Sequence, residues 1–235
     1  MRPVHVSLGL SKKKKLPVWK LFDSTFAPWD LSKAFEKARK ARNAGISEGS
    51  DGYYHVKISS WDLKLTGYYA GLIVNEFALW EYQYLPVDVK GKVILDIGAG
   101  EGESAVLYLS HGAEKVTAIE PNPVAFKVLE ENVKANDLPI VAINEKFDLK
   151  HLQIDHDFLK MDIEGHEVSL LDLPADYDLG QCAIEGHPLN GRFVGHEIAK
   201  KFGLEIVEDD GKGVVILNSR KREEGVQRAS DSLPR

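Results

Sequence analysis

Three glycines at alternate positions follow an acidic residue in an apolar run. The run Val93–Ile97 contains Asp96, and the glycines are Gly98, Gly100 and Gly102. Glycine tolerates positive φ angles and lets a ligand approach the main chain closely. An apolar strand, a glycine-rich turn and a helix in this order predict a binding site for a nucleoside. The predicted contact residues of this segment are Asp96, Gly98, Gly100, Gly102 and Ser104.

A second acidic residue, Glu120, follows the next apolar run, Lys115–Ile119. A carboxylate at this position can accept hydrogen bonds from both hydroxyls of a ribose. The residues Pro121, Asn122 and Pro123 then predict a helix start, in which Asn122 is the cap. The predicted contact residues on this side of the site are Glu120, Pro121, Asn122 and, at the end of the following strand, Asn144.

The spacing of the glycines distinguishes between two kinds of cofactor. A nicotinamide or flavin dinucleotide site requires Gly-x-Gly-x-x-Gly and a helix start that receives a pyrophosphate. Here the third glycine comes one residue early. Glu101 and Glu103 would repel a pyrophosphate but not an amino acid that carries a sulfonium. We therefore predict S-adenosylmethionine as the cofactor, with a dinucleotide as the alternative. A glycine-rich turn without a ligand is the weaker interpretation, because Asp96 and Glu120 both fall at strand ends.

A second group of titratable residues lies in the segment Asp157–Glu167. Side chains alternate along a strand, so Lys160, Asp162 and Glu164 are expected on one side. The last two fall at the carboxyl end, where ligands of open α/β sheets bind. A lysine in a central strand is costly unless it is paired. An ion pair of Lys160 with Asp162 or Glu185 is therefore as strong an interpretation as a catalytic role.

The neighbouring strand ends near Glu185, which brings His187 to the same edge of the sheet. Methyl transfer is an in-line displacement, so positioning of donor and acceptor supplies much of the rate. An alcohol acceptor must also lose its proton, which requires a base or a metal ion. The predicted catalytic residues are Asp162, Glu164 and His187, and His187 is a candidate base because an unshifted histidine pKa suits neutral pH. The same three side chains could alternatively hold a divalent cation, which sequence spacing alone does not establish.

Strands and helices alternate from Val93 onward, at spacings typical of a parallel sheet. The predicted elements are strand Val93–Ile97, helix Glu103–His111, strand Lys115–Ile119, helix Pro123–Asn136, strands Ile140–Asn144 and Phe158–Ile163, a helix near Glu167–Leu171, strand Gln181–Glu185, helix Arg192–Phe202, and strands Leu204–Glu208 and Val214–Asn218. The loop before the last strand is too short for a helical crossover and forces an antiparallel hairpin. This pattern predicts a doubly wound, Rossmann-like α/β sheet, mostly parallel with one reversed strand, as in class I methyltransferases.

The segments Leu95–Gly100, Ala118–Pro123 and Asp157–Glu167 together resemble the FkbM-type methyltransferase family. Members of that family typically read Lys-Ile-Asp-Val-Glu-Gly-x-Glu at the last segment. The resemblance implies a class I fold, S-adenosylmethionine as the methyl donor and, often, O-methylation of small molecules or sugars. The chain departs from the family in its short link from Asn144 to Phe158 and in lacking the Asn that members commonly carry near Glu101.

Charge is distributed unevenly along the chain. Through Gly45 there are eleven Lys or Arg against three Asp or Glu, so this stretch carries +8 and the remainder −14. A basic helix is predicted here, with Asp30 as its cap. It is interpreted either as a solvated helix packed on the acidic body or as a surface for RNA. The predicted division is a basic N-terminal helical and hairpin extension at 1–50, a methyltransferase domain at 51–218 and a disordered tail at 219–235.

The composition is typical of a soluble globular protein, and no apolar run is long enough to span a membrane. The lone cysteine, Cys182, excludes an internal disulfide and lies in an apolar strand, so it is expected in the core. A reducing compartment, the cytoplasm, is the expected location.

Three functions are compatible with these patterns. The first is O-methylation of a small-molecule or sugar-like acceptor. The second is methylation of tRNA or another RNA, because Glu120–Ala125 also resembles the corresponding segment of archaeal tRNA guanine methyltransferases. Against it, Asp162–Gly165 stands where amino-methylating enzymes carry an Asn-Pro-Pro-Tyr type element. The third is a non-catalytic module that binds S-adenosylmethionine.

Overall fold

The computed structural model describes residues 46–219, apart from the side chains of residues 74–79. The strands in chain order are β1 (Ile46–Glu48), β2 (Tyr54–Ile58), β3 (Trp61–Leu65), β4 (Val93–Ile97), β5 (Lys115–Ile119), β6 (Ile140–Ile143), β7 (Phe158–Met161), β8 (Gln181–Gly186), β9 (Glu205–Asp209) and β10 (Val215–Asn218). The α-helices are α1 (Gly67–Tyr84), α2 (Glu103–Ser110), α3 (Pro123–Asn136) and α4 (Val194–Phe202). The predicted basic helix near Asp30 and residues 220–235 lie outside the described residues.

Seven strands of the described chain form one sheet, in the order β6-β5-β4-β7-β8-β10-β9. Strands β4 to β8 are parallel, and β10 is antiparallel to both of its neighbours. The predicted doubly wound, mostly parallel sheet is therefore confirmed, and its one reversed strand is β10. The chain order changes direction between β4 and β7. In sheets of this kind a crevice opens at the carboxyl ends of the strands at such a switch point.

The segment after β7 contains the helix that was predicted near Glu167–Leu171. It is a 3₁₀ helix, His166–Asp172. It begins at a tight turn, in which Gly165 has a φ of +99°. The carboxylate of Glu167 accepts hydrogen bonds from the main-chain N–H groups of Ile163 and Gly165, both at 2.8 Å. This side chain closes the turn on itself and holds it against the end of β7.

Apolar layers cover both faces of the large sheet. Ile94 and Phe158 point to one face, where the ring of Tyr108 on α2 packs against Phe158 with centroids 5.7 Å apart. Leu95 points to the other face and packs with residues of the 3₁₀ helix and α4. Cys182 is fully buried in this second layer, as predicted, and burial raises the pKa of its thiol to about 12. None of the described helices combines the length and the apolarity that crossing a membrane requires.

A separate antiparallel sheet, β1-β2-β3, precedes helix α1. Its strands β1 and β2 pair with each other, and the turn between them contains position 50. The outer edge of β3 is paired by side chains instead of a strand. Asn132 on α3 accepts a hydrogen bond from the main-chain N–H of Lys64 at 2.8 Å and donates to its C=O at 2.9 Å. Asn136 makes the same pair of bonds with Asp62, at 2.8 and 3.0 Å. Two amides thus take the place of a neighbouring strand.

The asparagines fit this edge because the repeats of helix and strand nearly match. Four residues of an α-helix rise about 6.0 Å, and two residues of a strand rise about 6.6 Å. Two positions further on, the N–H of Thr66 donates to the carboxylate of Glu101 in the glycine loop, at 2.7 Å. Asn132 also donates to the carbonyl of Glu101, at 2.9 Å. The small sheet is therefore fixed to α3 and to the loop that follows β4.

Replacing Asn132 with Ala should destabilise the protein more than the same change at Asn136. Asn132 is buried, so its loss leaves three polar main-chain groups without partners away from water, whereas the partners of Asn136 remain exposed. We expect a loss of about 2–4 kcal/mol for Asn132→Ala and about 1 kcal/mol or less for Asn136→Ala. Urea denaturation of both variants measures the difference, and equal losses would contradict this account of the edge.

Candidate functional site

A cavity of about 520 Å³ opens at the carboxyl ends of β4, β5 and β7. This volume lies within the range of about 300–1,000 Å³ that is typical of small-molecule sites. The predicted residues that line it are Gly98, Gly100, Ser104, Glu120, Pro121, Asn122, Asp162 and Glu164. Four other predicted residues, Asp96, Gly102, Asn144 and His187, lie outside its lining. The structure therefore brings most of the predicted contact residues to one cavity.

The glycine loop lies directly against the end of strand β7. Gly98 has a φ of +79°, and a Cβ added there would lie 1.8 Å from the carbonyl oxygen of Asp162. The N–H groups of Gly98 and Ala99 both donate to the carbonyl of Ile119, at 2.9 and 3.1 Å. Gly102, with a φ of +99°, lets α2 approach Leu129 on α3. The loop is thus clamped between the ends of β5 and β7.

Substituting Gly98 by Ala should destabilise the protein more than Gly180→Ala. Gly180 has a φ of +69°, but no atom lies within 4 Å of a Cβ added there. Both variants carry the cost of a left-handed residue, about 1–2 kcal/mol, so their difference isolates the contact with Asp162. We expect Gly98→Ala to lose a further 1–3 kcal/mol or more, as is roughly usual for overpacking. Thermal unfolding of both variants tests this, and equal melting temperatures would refute it.

The carboxylate of Glu120 is held by main-chain groups on two sides. Its Oε2 accepts a hydrogen bond from the N–H of Gly100 at 2.9 Å, and its Oε1 accepts one from Asn122 at 2.8 Å. The amide of Asn144 donates to the main-chain carbonyl of Glu120 at 2.8 Å, from outside the cavity lining. The side chain of Asn122 caps α3 by accepting from Val124 at 2.9 Å, as predicted. The carboxylate is therefore fixed, and each oxygen retains a lone pair for a hydroxyl.

A buried ion pair joins strands β4 and β7 beneath the loop. The Nζ of Lys160 lies 3.2 Å from Oδ1 of Asp96 and donates to the carbonyl of Gly98 at 2.7 Å. The hydroxyl of Ser104 donates to the other oxygen of Asp96 at 2.6 Å. Although burial favours the neutral amine, the carboxylates of Asp96 and Asp162 raise the pKa of Lys160. Lys160 thus forms a buried ion pair, which was one of the two interpretations of the sequence. Its partner is Asp96 instead of Asp162 or Glu185, because the register of the parallel strands places Asp96 opposite it.

Four carboxylates surround the imidazole of His187. Its Nδ1 lies 3.2 Å from Oε1 of Glu167, which is fully buried. Its Nε2 lies 3.6 Å from oxygens of Glu164 and Glu185 and 4.0 Å from Asp162. Burial opposes the charged form, yet the carboxylates of Glu167, Asp162 and Glu185 raise the pKa of His187 to about 9. The premise of an unshifted pKa was therefore wrong, and this histidine is an imidazolium at neutral pH.

The same cluster contains a set of groups that could hold a metal ion. Ligand atoms of Asp162, Glu167 and His187 all lie within 4.8 Å of one another. The sequence suggested Glu164 in place of Glu167, but the side chain of Glu164 is 79% exposed. Glu167 was missed because its approach to His187 depends on the tight turn after β7.

The titration of His187 can be followed directly by NMR of the imidazole. We expect a pKa of about 9 in the wild type and a lower value in Glu167→Gln, which removes the closest charge. Because the folded pKa lies above the unfolded value of about 6.5, this contribution to stability is complete below pH 6.5 and is lost as the pH rises through 9. The exposed residue Glu205 provides the control, since Glu205→Gln should leave the titration unchanged. A wild-type pKa near 6.5 would contradict the geometry.

Aromatic residues of α1 form the wall opposite the strand ends. Trp80 and Tyr84, which are not among the predicted site residues, line the cavity together with Tyr68 and Tyr69. The hydroxyl of Tyr84 donates a hydrogen bond to the carboxylate of Glu185. Nothing in the sequence of α1 indicated this placement, because it depends on how the small sheet orients the helix.

Comparisons with known proteins agree with this architecture. The chain is 32% identical over 138 residues to the tRNA (guanine(37)-N(1))-methyltransferase Trm5b of Pyrococcus abyssi, covering 54% of this chain and 40% of that protein. It is 46% identical over 48 residues to the ribosomal protein L11 methyltransferase of Carboxydothermus hydrogenoformans, covering 20% and 16%. The solved 16S rRNA N2 G1207 methyltransferase RsmC of T. thermophilus, in complex with AdoMet and guanosine, superimposes with a TM-score of 0.51 at 18% identity, covering 72% and 50%.

The chain has the fold of class I methyltransferases, and parts of it are similar in sequence to methyltransferases. The predicted class I fold is therefore confirmed. No protein-family model matches the chain, and the FkbM family is not shown by these relatives. The chain spans less than half the length of the two curated relatives described above. The substrates in the names of these relatives therefore do not identify the substrate of this chain.

Proposed function

We propose that the protein binds S-adenosylmethionine in this cavity and transfers its methyl group to a hydroxyl of a small, uncharged acceptor, as FkbM-type enzymes often do. The observation that carries this proposal is the division of one cavity into two chemically different ends. At one end, bare main chain of the glycine loop and the fixed carboxylate of Glu120 suit a nucleoside. At the other end, Asp162, Glu164 and Glu185 suit a hydroxylated acceptor.

The residues around the donor act at different distances. Gly98 and Gly100 let it approach the main chain, and Glu120 accepts hydrogen bonds from its ribose. Pro121 and Asn122 form the adjoining wall. Ser104 lines the cavity and donates a hydrogen bond to Asp96, which stands behind the lining. Two other predicted cofactor residues also act from behind the lining: Gly102 admits α2, and Asn144 holds Glu120.

Asp162 is the proposed base for the acceptor hydroxyl. It lines the cavity, whereas His187 lies behind it, so the carboxylate can receive the proton while the oxygen attacks the methyl carbon. The carbon–sulfur bond breaks with its electron pair on sulfur, which leaves a neutral thioether. His187 is a positioning residue that orients Asp162 from 4.0 Å, and Glu164 at the mouth contacts the acceptor. Holding donor and acceptor within about 3–3.5 Å supplies the rest of the rate.

The charge of the acceptor end favours a neutral substrate. Asp162, Glu164 and Glu185 would repel the phosphates of a nucleic acid at short range. The aromatic rings of Trp80 and Tyr84 face the same space and offer flat surfaces for a ring. A sugar-like molecule, with hydroxyl donors at its edges and apolar faces, matches both features.

Methylation of RNA is the second candidate, and the similarity to Trm5b over 138 residues is the observation that favours it. The basic stretch before Gly45 would then contact phosphates beyond the cavity. Binding of this kind weakens steeply with salt. Binding of a neutral metabolite does not weaken in this way, so the salt dependence of turnover separates the two candidates.

Turnover can be tested with methyl-labelled S-adenosylmethionine and fractionated cell extract, with RNA, protein and metabolites separated before counting. We expect label in hydroxylated metabolites. Label in RNA would favour the second candidate, and donor binding without label in any fraction would support a non-catalytic binding module.

The role of Asp162 can be tested by Asp162→Asn. This variant should lower turnover by about 10²–10⁴-fold, the usual contribution of a general base, while donor affinity stays within about twofold. The matched control is Asp176→Asn, an exposed residue outside the cavity, which should retain wild-type turnover. Unchanged turnover in Asp162→Asn would refute its role as base.

A further inference from the structure

Glu103, the first residue of α2, carries a buried carboxylate that the proposed reaction does not use. Only 5% of the residue is exposed, and it lines the cavity. Its Oε2 accepts a hydrogen bond from the N–H of Glu101 at 2.9 Å. Among the described residues, which exclude the side chains of residues 74–79, none donates a hydrogen bond to Oε1. Because Glu103 lines the cavity, a ligand there can donate a hydrogen bond to this oxygen.

The free oxygen of Glu103 borders the same glycine that holds Glu120. A Cβ added to Gly100 would lie 2.5 Å from Oε1 of Glu103 and 2.5 Å from Cε1 of Tyr69. The N–H of Gly100 meanwhile donates to Glu120. The two carboxylates therefore flank one residue of bare main chain. A molecule whose ribose is held by Glu120 needs to extend only across Gly100 to reach Glu103.

The surroundings of Glu103 favour a cation. The ring of Tyr69 stands beside the carboxylate, and a carboxylate with an adjacent aromatic ring attracts ammonium groups. Lys160 is a cation that faces Glu103, but its amine is already held by Asp96 and by the carbonyl of Gly98. Burial raises the pKa of Glu103 to about 8, and the ionised groups that act on it are Lys160, Glu101 and Asp96.

We propose that Glu103 binds the ammonium group at the methionine end of S-adenosylmethionine. This inference rests on the proposed function, because it assigns a residue to that donor. The ammonium group has N–H donors that match a carboxylate lone pair, whereas the sulfonium has none. Glu103 then fixes the amino-acid end of the donor while Glu120 fixes the ribose, and the sulfonium is held between two anchored points.

A consequence of this assignment is that binding releases a proton. Without ligand, Glu103 is mostly protonated below pH 8. Pairing with an ammonium group requires the ionised carboxylate, so the proton leaves as the ligand binds. A ligand without the amino-acid end should bind without this release.

The test uses two probes that differ in the amino-acid end. S-Adenosylhomocysteine carries the ammonium group, and 5′-methylthioadenosine lacks it. Titration calorimetry of the full chain at pH 6.5, in buffers with different ionisation enthalpies, measures both affinity and proton release. In Glu103→Gln we expect S-adenosylhomocysteine to bind about tenfold more weakly or worse, as for loss of a charge-assisted hydrogen bond. Affinity for methylthioadenosine should stay within about twofold, which also shows that the variant is folded.

The matched control is Glu130→Gln. Glu130 is an exposed glutamate of α3 that lies outside the cavity lining and is not among the groups that act on Glu103. This variant should keep the wild-type ratio of the two affinities. The wild type should release about one proton with S-adenosylhomocysteine and none with methylthioadenosine, and Glu103→Gln should release none with either.

Two outcomes would overturn the assignment of Glu103. One is an unchanged affinity ratio in Glu103→Gln, and the other is wild-type binding of S-adenosylhomocysteine without proton release. Failure of the wild type to bind either probe would instead refute the proposed function, and the inference with it.

Discussion

The ion pair between Lys160 and Asp96 is the interaction on which the site depends. One ammonium group contacts β4 through Asp96 and the glycine loop through the carbonyl of Gly98. The second oxygen of Asp96 holds Ser104 at the start of α2. Losing one member of a buried pair costs about 3–5 kcal/mol, because the remaining charge has no partner. Strand, loop and helix are therefore held together at the point where the cavity opens.

The direct contact between Gly98 and the carbonyl of Asp162 lies just above this pair. The ion pair draws β4 and β7 together, and the absent side chain of Gly98 permits the approach. As a result Asp162 stands at the edge of the loop that the donor would cover. The two ends of the cavity, which the proposed function assigns to donor and acceptor, are thus both positioned by the packing of β4 against β7.

The sequence predicted the parts of the site that depend on neighbours along the chain. The glycine loop, the cap at Asn122 and the position of Glu120 follow from local patterns of strand, turn and helix, and the structure contains all of them. The partner of Lys160 could not be predicted, because the register between β4 and β7 is set by packing of segments more than fifty residues apart. The charge on His187 could not be predicted either. Its closest carboxylate, Glu167, belongs to the turn after β7, whereas His187 follows β8.

The asparagines along β3 have a further consequence for association between molecules. An exposed strand edge offers free N–H and C=O groups that can recruit a strand from another chain. Here amides from α3 occupy that edge at Asp62 and Lys64. Because the spacing of the two asparagines is fixed by the helix, a slip of β3 by one residue would break all four bonds together. Helix α3 therefore sets the register of β3 and covers a strand edge at which another molecule could otherwise pair.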